Sequence, residues 1–275
     1  MPVRITHNGN LHRITRNMSV HFDRAARQVE QLASGNRVNR SSDDPSSLAM
    51  ADTLFSEVRA LSEGNRNIQQ SIHMLQTADG ALNHVNDMML RMRSLAAQAA
   101  SANSTSNDRK NLDAEFQLLR EEIDRVADTT NFNGIKLLDD DEVFAIQSGL
   151  AESSNDVSRF RIRDMRASGP NLNITGHTIR SQRDGLEAMQ RLTQAYDLVI
   201  EERNRIAAFQ QRLEFSIDTG EKIIESMRES EVEIRGVDMV RATTTLTRSQ
   251  ILTQSAASFA VAADLDIDRV LSLLG

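Results

Sequence analysis

Large apolar side chains recur every three or four positions along much of the chain, the spacing that places them on one face of a helix. Near the N-terminus this spacing is kept by Leu11, Ile14, Met18, Phe22, Ala25, Val29 and Leu32. In the last 27 residues it is kept by Leu252, Ala256, Phe259, Ala263, Ile267, Val270 and Leu274. Chain ends usually lose order and hydrophobicity, so these two ends indicate helices that bury their stripes against something.

Turn-forming residues separate the first helix from the next one. Gly, Asn, Ser and Pro cluster at 34–45, where Ser42, Asp43 or Asp44 would cap a helix that has Pro45 in its first turn. A helix from residue 45 to about residue 100 would span roughly 80 Å, which predicts a rod.

The middle of the chain continues with helices and one region of a different kind. Gly64 and Gly80 are the candidate bend positions of the long helix, although interior glycines are commonly tolerated. A returning helix ends before 130–138, where Asn-Gly between apolar residues predicts a tight turn into a strand. Short alternation in FAIQSG and RFRIRDM predicts a small β-hairpin region with loops.

The predicted fold is mainly α, with long antiparallel helical rods or coiled coil and a small β-hairpin region in the middle. Its five segments are a terminal helix and turn at 1–44, a long helix, returning helix and turn at 45–138, a short β and loop insert at 139–180, a second long helix at 181–235, and a terminal helix at 236–275.

Composition agrees with helices packed side by side. Only three prolines and 4% aromatic residues occur, so the core must be built mostly from aliphatic side chains. A formal net charge of −7 argues against a nucleic-acid partner. No apolar run is long enough for a membrane span, and the N-terminus has no apolar segment typical of a cleaved signal.

No pattern in the chain indicates an enzyme, so we expect no catalytic residues, no cofactor and no metal site. Cysteine is absent, which excludes disulfides, thiolate metal sites and a cysteine nucleophile. None of the six histidines has metal-binding spacing, and no phosphate loop or nucleophile elbow occurs. The acidic run at 139–142 could hold a cation, but a solvated turn is the favoured interpretation.

Four stretches, in their order along the chain, resemble bacterial flagellin. They are LASGNRVNRSSDDPSSLAMAD at 32–52, GNRNIQQSIHMLQTADGALNHVNDMMLRMRSLAAQAA at 64–100, EIDRVADTTNFNGIKLL at 122–138, and the closing SQILTQSAASFAVAADLDIDRVLSLLG. The resemblance covers roughly residues 1–138 and 185–275. About 42 residues stand where larger flagellins carry outer domains, so no large outer domain is expected.

The resemblance implies a secreted structural subunit that self-assembles into the helical flagellar filament and serves motility. The implied partners are other copies or related flagellins, the flagellar export apparatus, an export chaperone and a cap protein, with no nucleic acid and no membrane insertion. The filament would be extracellular or periplasmic. The two terminal stripes would pair with each other and contact neighbouring subunits, through Leu11, Ile14, Met18, Phe22, Val29, Leu32, Leu252, Phe259, Ile267, Val270 and Leu274.

Departures from the family pattern leave two alternatives. Asp43-Asp44-Pro45 stands where flagellins commonly have Asp-Asp-Ala, and Asp-Asp-Pro is more typical of the hook–filament junction protein. Gly236 stands where an Asp is usual. The first alternative is therefore the junction protein, and the second is a non-flagellar coiled-coil interaction module.

A shorter resemblance concerns the stretch LRMRSLAAQ at 90–98. In many flagellins the matching turn of helix is recognised by an animal innate-immune receptor, toll-like receptor 5. Arg91, Arg93 and Leu95 are therefore a candidate contact with such a receptor or with another subunit. The usual Glu is Ser94 here, which favours the polymer contact or a solvated position for Arg91.

Overall fold

Helices form most of the backbone in the computed structural model, which describes residues 9–149 and 156–274, with side chains at 11–149 and 156–262. Over these ranges the chain forms α1 (Gly9–Ser34), α2 (Pro45–Ala100), α3 (Ser106–Thr129), β1 (Asn131–Phe132), β2 (Ile135–Lys136), β3 (Glu142–Gln147), β4 (Val157–Ile162), α4 (Gln182–Arg235) and α5 (Met239–Leu274). The fold is mainly α with two small antiparallel sheets in the described residues, as predicted.

Asp44 is the residue that caps the N-terminus of α2, whereas the sequence left three candidates. Its carboxylate accepts hydrogen bonds from the backbone N–H groups of Ser46 (3.2 Å) and Ser47 (3.1 Å), which have no helical partner of their own. Pro45 occupies the first helical position, where its missing N–H costs nothing. Asp43 instead accepts from the backbone of Asn39 and Arg40 within the preceding turn.

The Asn-Gly turn has the predicted conformation. Asn133 and Gly134 have positive φ angles of 52° and 82°, as a two-residue hairpin turn of the primed kind requires. The turn joins β1 to β2, so that Phe132 pairs with Ile135. The second hairpin, β3 with β4, pairs Phe144 with Phe160.

Contacts divide the chain into two compact units. The central unit comprises 57–225, and the terminal unit comprises the described residues of 1–56 and 226–275. The sequence treated the two chain ends as separate segments whose helices would pair with each other, and the contacts place both ends in one unit.

The central unit has a continuous hydrophobic core. Its fully buried side chains come from α2, α3, α4 and the hairpins, and include Ile68, Leu75, Leu82, Phe116, Ile123, Leu192 and Leu213. The ring of Phe160 on β4 stacks on Phe209 of α4 with centroids 4.6 Å apart, which fixes the second hairpin on that helix.

The loop at 163–181 belongs to this core although it has no regular structure. It buries Met165, Ala167, Leu172, Ile174 and Ile179. The sequence predicted a region with loops here and gave no sign that the loop is packed, because the apolar positions follow neither helical nor strand spacing.

Asp113 of α3 holds the end of this loop. Its side chain is 2% exposed and accepts hydrogen bonds from the N–H of Ile179 (3.0 Å), the guanidinium of Arg180 (2.6 Å) and the amide of Gln117 (3.4 Å). Burial opposes ionisation of this carboxyl, but these three donors outweigh it and hold the pKa of Asp113 below its ordinary value. The charged carboxylate therefore stabilises the central unit.

Gly64 and Gly80 differ although they lie in one helix. A Cβ added at Gly64 would lie 2.6 Å from the carbonyl oxygen of Ser148, so the end of β3 approaches the helix where only glycine fits. A Cβ at Gly80 would meet nothing within 4 Å. Close backbone approach therefore explains Gly64, and no contact explains Gly80.

Candidate subunit interface

Helices α1 and α5 pack against each other within the terminal unit, as the sequence predicted. The least exposed positions of α5 follow helical spacing and carry mostly small side chains: Ala242, Leu246, Ser249, Thr253, Ala256 and Ala260. Since these positions share one face, we assign them to the contact with α1 and call them the small-residue seam. Small side chains let two helix backbones approach closely.

Two of the large residues that were predicted to line the assembly stripe of α5 are exposed in the monomer. Leu252 is 41% exposed and Phe259 is 67% exposed, so both side chains are available to neighbouring copies, and their role in assembly stays a prediction. By helical spacing, both lie on the flank of the small-residue seam. Ile267, Val270 and Leu274 lie in α5, but their side chains are outside the described residues.

The predicted stripe of α1 is split in the same way. Leu11, Ile14, Met18 and Leu32 are half-buried. By contrast, the side chains of Phe22 and Val29 are 66% and 50% exposed.

Few apolar side chains of the terminal unit are buried. Among its described residues, the buried ones are Val38, Ala51 and Ala242. Many larger ones are exposed, including Val20, Phe22, Val29, Met50, Phe55, Val232, Met239, Val240, Ile251, Leu252, Phe259 and Val261. Contiguous exposed apolar surface marks an interaction site more often than isolated exposed residues do.

A run of exposed threonines on α5 also suits burial. The hydroxyls of Thr243, Thr244, Thr245 and Thr247 each donate to the carbonyl oxygen four residues earlier, at 2.7–2.9 Å. Their hydrogen-bonding donors are thus satisfied inside the helix, and their methyl groups remain available for contact. A neighbouring surface could cover them without leaving a donor unpaired.

A short backbone bridge joins the two chain segments of the terminal unit. The N–H of Arg37 donates to the carbonyl of Arg235 (2.6 Å), and the N–H of Val237 donates to the carbonyl of Gly35 (3.1 Å). Gly35 has a positive φ of 71°, as expected for the residue that ends α1. Nothing in the sequence pattern predicted this bridge, because it pairs residues about 200 positions apart.

Gly236 lies inside this bridge, opposite Asn36. A Cβ at this position would lie against the carbonyl oxygen of Val232, well inside van der Waals contact. The departure from the usual Asp therefore has a steric reason here: the last turn of α4 leaves room for glycine alone at this position.

The Arg91, Arg93 and Leu95 contact is only partly compatible with the structure. Leu95 is 1% exposed in the core of the central unit, so its side chain is withdrawn from any surface contact. Arg91 is exposed and forms an ion pair with Glu115 of α3 at 2.7 Å. Arg93 is exposed. A contact made by the two arginines stays a prediction.

Comparison with known proteins identifies the family of this chain. The bacterial flagellin N-terminal helical region matches residues 5–142, and the bacterial flagellin C-terminal helical region matches residues 189–274. The chain belongs to the bacterial flagellin family. The two matched regions contain both helices that carry the exposed apolar residues.

Relatives of nearly the same length support this membership. The flagellin of Halalkalibacterium halodurans is 33% identical over 270 residues, which cover 98% of this chain and 99% of the relative. Flagellin FlaB2 of Treponema pallidum is 30% identical over 263 residues, 90% of this chain and 91% of the relative.

Solved structures agree with the fold. The crystal structure of Bacillus cereus flagellin matches with a TM-score of 0.50 at 30% identity, over 56% of this chain and 88% of that one. A putative flagellar hook-associated protein from Vibrio parahaemolyticus matches with a TM-score of 0.62 over 70% of this chain and all of that one. At 14% identity the second likeness concerns the fold alone.

Family membership and fold class are thus confirmed, and the chain is a structural subunit of a bacterial flagellar filament. Within the described ranges, no group of three or more His, Asp or Glu side chains is arranged as a metal ion would require. None of the described helices is long and apolar enough to cross a membrane.

Proposed function

We propose that this flagellin polymerises through its terminal unit, with the exposed apolar side chains of α1 and α5 buried against neighbouring copies. One observation carries the proposal: the two helices pair through the small-residue seam and leave larger apolar side chains facing outward. An arrangement that served only the monomer would place the larger side chains inside.

The distribution of apolar residues around α5 supports burial on several sides. Leu252 and Phe259 share one flank, whereas Val240 and Ile251 lie opposite the small-residue seam. Apolar side chains on more than one side of a helix are buried only when other elements pack on each of those sides. Neighbouring copies would supply those elements, at about 1.5–3 kcal/mol for each large side chain that becomes fully buried.

Such contacts join different surfaces of successive copies, so they do not close into a ring unless the rotation allows it. Repeated with a screw operation, they generate an open helical filament. We infer that the role of the chain is mechanical and that it catalyses no reaction.

Removal of both terminal helices tests this proposal. A chain trimmed to residues 45–235 keeps every member of the hydrophobic core cluster, so we expect it to remain folded and soluble. It should fail to elongate filament seeds under conditions in which the full chain does, as seen by electron microscopy. Filaments built from the trimmed chain would refute assembly through α1 and α5.

We also propose that the chain leaves the cytoplasm through the export apparatus of the flagellum, with an export chaperone and a cap protein as partners. Family membership supports this route. In a strain without that apparatus the chain should accumulate inside the cell, and its appearance in the medium or periplasm of such a strain would contradict the proposal.

A further inference from the structure

Helix α1 carries a stripe of exposed arginines. The stripe consists of Arg13, Arg16, Arg24 and Arg27. Together with Val20, which lies between Arg16 and Arg24, these residues keep helical spacing over about 21 Å of helix. All four are exposed. In the part of the chain that the structure describes, none of them has an ion-pair partner, although the acid Asp23 lies at the edge of the stripe. We call these four residues the arginine stripe.

Helix α4 carries a matching stripe of the opposite charge. Its members also keep helical spacing and are exposed: Glu214, Asp218, Glu221, Glu225 and Glu229. They span about 22 Å of helix. None forms an ion pair with any described residue, and the exposed cations Lys222 and Arg228 lie at the edges of the stripe. We call these five residues the acidic stripe.

We propose that the arginine stripe of one copy pairs with the acidic stripe of α4 in a second copy, an inference that rests on the proposed polymerisation. The two stripes have opposite charge, nearly equal length and the same helical spacing. Neither stripe has an ion-pair partner among the residues whose side chains the structure describes. Their pairing joins two different surfaces, which is the kind of contact that propagates a filament.

Unpaired like charges repel along each stripe in the monomer, and pairing removes that repulsion. Each exposed ion pair is weak, but several in register add up and also fix which surfaces meet. The apolar surfaces of α1 and α5 have no such register of their own, so the charged stripes would set the axial position of one copy against the next.

Charge reversal in the full-length chain tests the pairing. The variant R13E/R16E/R24E/R27E should raise the critical concentration for seeded elongation at least tenfold, the sum expected for four ordinary exposed ion pairs. Far-ultraviolet circular dichroism and the melting temperature of the monomer should remain unchanged, because the four side chains make no described contact. Adding the compensating reversal on α4 in the same chain should restore elongation: E214R/D218R/E221R/E225R.

A control variant reverses four exposed basic residues of the central unit: K110E/R159E/R161E/R183E. It changes the net charge by the same amount, and we expect a critical concentration within about threefold of the wild type. A change as large as that of the arginine-stripe variant would mean that net charge alone acts, and would overturn the pairing.

Two further results would also overturn it. The arginine-stripe variant could elongate as well as the wild type, or it could fail and not be restored by the α4 reversal. Retention of the wild type on phosphatidylserine vesicles, lost in the arginine-stripe variant without any effect on elongation, would assign the stripe to an anionic surface. None of these results bears on the proposed polymerisation itself. That proposal is tested separately, by elongation of the wild type and its loss in the 45–235 chain.

Discussion

Phe259 provides the most direct test of the exposed apolar surface, because its ring is 67% exposed on α5. Substitution by Asp leaves the new carboxylate in water in the monomer, so the stability of the monomer should change by no more than about 0.5 kcal/mol. In the polymer the same carboxylate would lie where the ring is buried.

The magnitude follows from the area that remains to be buried. Full burial of a Phe side chain contributes about 1.5–3 kcal/mol, and two-thirds of that gives roughly 1–2 kcal/mol for Phe259. An unpaired carboxylate at the interface costs several kcal/mol more. A total above about 3 kcal/mol corresponds to a critical concentration more than a hundredfold higher.

Sedimentation of seeded reactions at increasing protein concentration measures this quantity. Phe259→Leu keeps an apolar side chain and should remain within about tenfold of the wild type. Val143→Asp, at a position of the β3–β4 hairpin that is 55% exposed, is the matched control and should have little effect. If Phe259→Asp elongated with a critical concentration within about twofold of the wild type, Phe259 would not lie at an interface and our assignment of the surface would be refuted.

Four other substitutions test the packing. Gly64→Ala should destabilise the central unit by about 1–3 kcal/mol, whereas Gly80→Ala in the same helix should stabilise it by about 0.5–1 kcal/mol, both measured by urea unfolding. Gly236→Ala should open the bridge of the terminal unit and impair elongation; an unchanged critical concentration would mean that the bridge is dispensable. Because the pKa of Asp113 is lowered by folding, its contribution is complete above about pH 4 and is lost as the pH falls through its folded pKa. Asp113→Asn should therefore destabilise the central unit at pH 7 and weaken its acid sensitivity, and an unchanged pH dependence of the unfolding free energy would contradict this.

Local signals allowed the sequence to predict where α2 begins and where the first hairpin turns. Asp44 and Pro45 mark the start of α2 through backbone chemistry that depends on a few neighbouring residues, and so do Asn133 and Gly134 at the first hairpin. Such signals depend only on residues that are close together in the sequence. Long-range pairings depend on residues that are far apart in the sequence. For this reason the hydrogen bonds of Asp113 to the end of the 163–181 loop and the bridge at Gly236 could not be predicted.

The sequence leaves the contact face of α5 undecided, for a physical reason. Helical spacing yields two overlapping sets of positions, one with Leu252 and Phe259 and one with Ala242, Ser249 and Ala260. Apolar area favours the first set. Low exposure favours the second, which we assign to the contact with α1. Spacing alone cannot decide between them, because both sets recur every three or four residues.

The position of the large side chains also separates the contacts within one copy from the surface offered to other copies. The central unit buries its large aliphatic side chains, so its stability does not depend on neighbours. The terminal unit is joined by the small-residue seam and by the backbone bridge, neither of which uses Phe22, Phe259 or Ile251. The contacts that shape the monomer are therefore separate from those offered to the next copy. Assembly can then proceed without undoing monomer contacts, and nearly all the free energy of burying these side chains remains available to stabilise the polymer.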